Sequence, residues 1–73
     1  MTTQKVPNDE RKRRLAALRN AELTLAEKNE ISTIIEKGPQ TIWQYLSGEG
    51  SNYWTEMEII EAGEAVIAKR SAL

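Results

Sequence analysis

Seventy-three residues with ten Lys or Arg, eleven Asp or Glu and no Cys or His make one small domain at most, because a chain this short buries only about 60% of its unfolded surface. Without Cys there is no disulfide framework, and without His as well neither a metal site, a resident cofactor nor the usual general base near neutral pH is expected. Net charge is −1, yet residues 1–20 carry six cationic against two acidic side chains while the other 53 carry four against nine; a basic end on an acidic body implies an anionic partner or association of opposite ends.

Residues 1–8 read as a flexible N-terminal arm that includes Pro7. The opening MTTQKVPNDE has no apolar run, and no later segment approaches the roughly 18 apolar residues of a membrane span. A soluble, cytoplasmic protein is expected, with a single helical domain at 9–70 and a short tail at 71–73.

Asn8 or Asp9 is suited to cap a first helix over about 9–22, with Asp9 and Glu10 in its first turn, where the helix dipole favours acids. Leu15 and Leu18, with alanines at 16, 17 and 21, form its apolar stripe. Thr24-Leu-Ala-Glu27 has the spacing of a capping box and starts a second helix. Ile31, Ile34 and Ile35 form the inward face of that helix, with Leu25 or Ala26 one to two turns earlier, and Gly38-Pro39 breaks it near Lys37.

Pro39 suits the first position of a short third helix, Pro39 to Ser47, which Gly48 stops. Ile42 and Leu46 mark its buried side. Turn-forming residues then lead to Thr55-Glu-Met-Glu58, a second capping-box spacing, and a last helix to about Arg70. Met57, Ile60 and Ile67 form its inner stripe, with Ile59 and Val66 beside it, and Lys69 and Arg70 suit the negative end of its dipole. No alternating strand pattern persists, so the expected fold is all-α, a compact bundle of about four short helices.

A helix, a very short break and a second short helix is the arrangement of a helix-turn-helix. Ile31, Ile35, Ile42 and Tyr45, with the small Ser32 directly after Ile31, reproduce the apolar spacing of that motif without a gap. TIWQYLSG, Thr41–Gly48, resembles the TISRYLSG-type recognition-helix ending of the lambda-repressor and Cro-like family of small phage and bacterial transcription regulators. The resemblance covers about Lys28 to Ser47, with a looser match of the last helix. It departs from the family where Glu36 replaces the usual Gly and Lys37 the usual apolar residue, and where Gly38 and Pro39 replace a common Ser-Gln.

The resemblance implies a homodimeric repressor or activator that lays helix 39–47 in the major groove of double-stranded DNA. Gln40, Trp43, Gln44 and Ser47 then face outward to contact bases. A Gln amide matches the donor and acceptor of adenine N6 and N7, and Trp43 can press on a thymine methyl. The same residues also suit other roles: a solvated polar face for the glutamines, and packing against the last helix or a dimer contact for Trp43.

Phosphate contacts normally supply affinity for nucleic acid. The helix-turn-helix segment offers only Lys28 and Lys37, so Lys5, Arg11, Lys12, Arg13 and Arg14 are expected along the backbone or in a minor groove. The acidic last helix should avoid DNA and is the expected dimer contact. Trp43, Tyr45, Tyr53 and Trp54 all lie within twelve residues, a grouping that points to a local aromatic mini-core.

An enzyme is not expected. Glu56, Glu58, Glu61 and Glu64 crowd one helix with no His or Lys nearby to tune them, and there is no phosphate-binding loop or nucleophile–base pair. The alternative to DNA binding is a small acidic protein-binding module, an antirepressor or inhibitor, docking through its acidic face and aromatics.

Overall fold

In a computed structural model that describes residues 5–71, the backbone turns into its first helix, α1 (Asn8–Asn20), at Pro7. Residues 1–4 of the expected arm and 72–73 of the expected tail lie outside the described residues. The cap expected at Asn8 or Asp9 is not used. Both sit inside the first turn, and the Pro7 carbonyl accepts from the Arg11 N–H at 3.0 Å. The helix also stops short of residue 22, because Glu22 takes a left-handed φ of 53°.

The second helix, α2 (Leu25–Ile35), starts as its sequence requires. Thr24 Oγ1 accepts from the Glu27 N–H at 3.1 Å, and Glu27 Oε1 accepts from the Thr24 N–H at 2.8 Å, so two otherwise orphaned donors are satisfied reciprocally. It ends before Lys37 because Glu36 is left-handed, φ 56° and ψ 41°. That conformation costs a non-glycine residue roughly 1–2 kcal/mol. Part of the cost is offset by the hydrogen bonds that close the helix end: the Lys37 N–H donates to the Ser32 carbonyl at 3.2 Å, and the Ser32 hydroxyl donates to the Lys37 carbonyl.

Pro39 opens α3 (Pro39–Leu46) at the position where its missing N–H is harmless. Ser47 caps it and Gly48, at φ 88°, turns the chain away. The last helix, α4 (Tyr53–Ser71), begins before the expected Thr55 box. Asn52 is the cap: its Oδ1 accepts from the Thr55 N–H and its carbonyl from the Glu56 N–H, both at 3.0 Å. Asn caps at least as well as Thr, and its earlier position moves Tyr53 and Trp54 into the first turn.

All four helices contribute to one core. Its buried members are Leu15, Leu18 and Leu23; Ile31 and Ile35; Ile42, Tyr45 and Leu46; and Met57, Ile59, Ile60, Ala62 and Val66. α4 packs against each of the other three helices, so its buried arc is wide. Ile59 and Val66 are therefore fully interior, and Ile67 sits at the edge. The inward face of α2 is narrower than its sequence suggests, since Ile34 is 52% and Leu25 71% exposed, and Ala26 is exposed too. The aromatic mini-core does not form. Tyr45 is buried, but Trp43 and Trp54 are 50% and 64% exposed, and Trp54 meets Tyr53 with the rings nearly perpendicular, centroids 4.9 Å apart.

Two glycines permit close approaches. The ring of Tyr45 lies on the bare backbone of Gly50, where a Cβ would come within 2.1 Å of it, and Tyr45 Oη accepts from the Asn52 N–H at 3.1 Å. Gly63 sits mid-helix in α4, and a Cβ there would lie 2.9 Å from both Leu18 methyls. A helical Gly costs about 1 kcal/mol relative to Ala, yet Leu18, only 1% exposed, has no room to withdraw. Overpacking a core costs about 1–3 kcal/mol and outweighs the helix-propensity gain. Gly63→Ala should therefore lower Tm, by about 4–8 °C per kcal/mol lost, in a thermal melt followed by circular dichroism; a higher Tm would contradict this packing.

Candidate nucleic-acid interface

Burial of Ile42, Tyr45 and Leu46 on one side of α3 sets the roll of that helix. The opposite side then presents Gln40, Trp43 and Gln44, and Ser47 follows one turn on; all four are exposed. Neither glutamine amide makes a side-chain hydrogen bond among the described residues, so each keeps a free donor and a free acceptor. Ser47 is partly committed, because its hydroxyl donates to the Trp43 carbonyl at 2.8 Å. Trp43 is held from α2: Lys28 Nζ stands 3.4 Å from the centroid of its ring. Such a cation–π contact contributes about 0.5–1 kcal/mol at an exposed site.

The cations expected to hold phosphates divide into two groups. Arg11 and Arg14 are committed to α4. Arg11 pairs with Glu56, donates to the Val6 carbonyl and lies 4.8 Å from the Tyr53 ring centroid. Arg14 grips Glu64 through two bonds, Nε to Oε2 at 2.8 Å and Nη2 to Oε1 at 2.6 Å, with Glu10 at 3.6 Å. The arm is drawn the same way: the Val6 N–H donates to Tyr53 Oη at 2.8 Å, and Lys5 Nζ lies 5.1 Å from the Tyr53 centroid.

Lys12, Arg13 and Lys37 make no ion pair among the described residues. Lys12 borders a cleft with Gly48 and Ser51, just past the end of α3. On the other side of the C-terminal half of α3, Arg19 and Lys28 line a half-open cleft of about 200 Å³ with Trp43 and Leu46. Arg19 was not among the residues expected at the site. Its signal was its position seven residues after Lys12, which puts both on one stripe of α1.

Much of the charge asymmetry in the sequence is resolved inside the fold. Besides the Arg11–Glu56 and Arg14–Glu64 pairs, Arg70 bonds Glu27 and Lys69 bonds Glu30. Opposite ends thus meet within one chain. The pairs are mostly solvent-exposed and add little stability individually, but they set which cations stay free. Hydrogen bonding to Arg14 holds the Glu64 carboxyl below the usual range against a smaller opposing effect of burial.

No protein-family model, curated protein or solved structure matches the chain. Among the described residues no helix is long and apolar enough to cross a membrane.

Glu27 provides a pH test of the geometry. Hydrogen bonds from Arg70 first, and from the Thr24 N–H second, hold its carboxyl at about 2. A carboxylate depressed in the folded state stabilises fully above its unfolded pKa, about 4.3 for Glu, and that contribution disappears as pH falls toward 2. Glu27→Gln keeps the capping-box hydrogen bond but has no charge to lose. Its Tm should therefore fall less steeply than that of the wild type between about pH 4.3 and 2; parallel profiles would place Glu27 outside these hydrogen bonds.

Proposed function

We propose that this protein is a sequence-specific DNA-binding transcription regulator of helix-turn-helix type that reads the major groove with α3. The observation that carries the reading is the outer side of α3: Gln40, Trp43, Gln44 and Ser47 are all exposed, with Lys28 and Arg19 beside Trp43. The connection from α2 to α3 supports it. Glu36 stands where the resembled regulators carry Gly, and it adopts the left-handed conformation that glycine favours.

In this mechanism the amides of Gln40 and Gln44, one turn apart, reach adenine edges, and Trp43 meets a thymine methyl or the adjoining sugar. Lys28, Lys37, Lys12 and Arg19 supply the phosphate contacts that fix register. Arg13 extends that contact along α1. Arg11 and Arg14 instead fasten α1 to α4, so most of the affinity comes from cations on α2, on the turn and on the outer stripe of α1.

The acidic balance of the body favours a second reading, an acidic protein-binding module, and salt dependence separates the two. With five phosphate contacts, log K for mixed-sequence duplex DNA should fall with log salt at a slope of about −4.5. Fluorescence anisotropy should show the slope shrinking by about 1 in Lys28→Gln and again in Arg19→Gln. Gln44→Ala should lose about 1–3 kcal/mol on a selected site and nothing on random duplex. Absence of duplex binding at low salt would overturn the DNA reading; equal loss on all sequences would overturn base readout by Gln44.

A further inference from the structure

The clefts on this surface differ in what they offer a ligand. The open groove of about 320 Å³ between α2 and α4, beside Ile34, has apolar side chains and the carboxylates of Glu58 and Glu61 but no cation. A cleft of about 280 Å³ between α1 and the α3–α4 loop is the opposite. Arg11 and Glu56 on its wall pair with each other, which leaves Lys12 as the uncompensated charge. Glu49, although it lies between Gly48 and Gly50 in the loop, is not part of the lining. The cleft is therefore positive in a chain whose net charge is −1.

Its hydrogen-bonding groups are one-sided too. Lys12 Nζ and Ser51 Oγ make no hydrogen bond among the described residues, and neither do the backbone N–H groups of Gly50 and Ser51. Asn8 uses its oxygen to accept from Arg11 at 3.2 Å, so its amide nitrogen keeps both donors. Tyr53 Oη accepts from the Val6 N–H and keeps its own hydrogen to donate. Free donors thus come from α1, from the loop and from the start of α4. Together with an unpaired ammonium they suit an oxyanion that accepts from several sides at once. Leu15, 5% exposed, lines the same cleft as an apolar floor.

We infer that this cleft is a binding site for a small organic phosphate monoester. A monoester presents three unsubstituted oxygens to donors on both walls, against two in a diester or a carboxylate. Its organic group lies on Leu15, and the volume, at the low end for ligand pockets, limits it to a compact molecule. In the DNA reading the Lys12 ammonium meets a backbone phosphate, so ligand and duplex compete for it. The site itself does not depend on that reading, and its test contains no DNA.

Phenyl phosphate is the probe, titrated into the full chain and followed by amide NMR. Saturable shifts are expected at the Gly50 and Ser51 N–H groups and the Asn8 side-chain amide, with Kd of order 0.1–1 mM. Lys12→Gln and Ser51→Asp, both at exposed positions, should each weaken binding about tenfold. Lys69→Gln, which removes a charge at the other end of α4, should leave it unchanged. Inorganic phosphate should move the same amides more weakly, because it lacks the contact with Leu15. Benzoate and methyl phenyl phosphate, the carboxylate and the diester with the same ring, should also bind more weakly. No saturable shift up to about 10 mM, or affinity indifferent to Lys12→Gln, would overturn the proposal. Methyl phenyl phosphate binding as tightly as phenyl phosphate would overturn it as well, and would assign the cleft to a nucleic-acid backbone.

Discussion

A hydrogen in place of a side chain at Gly63 sets how closely α1 can lie on α4, and much of the molecule follows from that separation. Leu18 fills the space directly over Gly63, and this contact brings the arginines of α1 within reach of the glutamates of α4. Arg11 then closes on Glu56 and Arg14 on Glu64. In a domain this small, where a kilocalorie is a sizeable part of the stability, one close backbone approach therefore governs both packing and surface charge.

The charge consequence is the one that bears on function. A sequence with a basic end suggests a basic arm free to grip an anion, but the fold draws Lys5 and Arg11 to Tyr53 and to Glu56. The cations left near α3 include Lys12, Arg19 and Lys28. They come from different helices and become neighbours only because α1 and α2 both pack beside α3. Lys28 has two roles there, since the ammonium that could meet a phosphate also lies over the Trp43 ring. In the proposed DNA-binding reading, phosphate contact and the hold on the tryptophan share one side chain, Lys28.

The helical class, the Thr24 capping box, the Pro39 start and the two faces of α3 were legible in the sequence because each rests on a local rule: reciprocal hydrogen bonds, a missing N–H, a helical period. What was not legible depended on neighbours. Thr55 and Asn52 both suit a cap, and the choice between them was made by the loop, where Asn52 is already held by Tyr45. Ile34 fits the helical period of an inward face, but α4 passes beside α2 with small alanines opposite, so that side chain stays half outside. The pairing of Arg14 with Glu64, fifty residues apart, has no local signature at all. Arg19 carried a faint one, its seven-residue offset from Lys12, which acquires meaning only once α3 is known to lie beside that stripe.

The central claim is that the outer side of α3 is where the protein meets DNA. The most direct measurement is an amide and side-chain NMR titration with duplex DNA at low salt. The account predicts that the side-chain amides of Gln40 and Gln44 and the indole N–H of Trp43 shift together, with smaller changes at Arg19 and Lys28 and none at Ile34 or Ala65. Shifts centred on the α2–α4 groove, or no shifts at all in the presence of excess duplex, would contradict it.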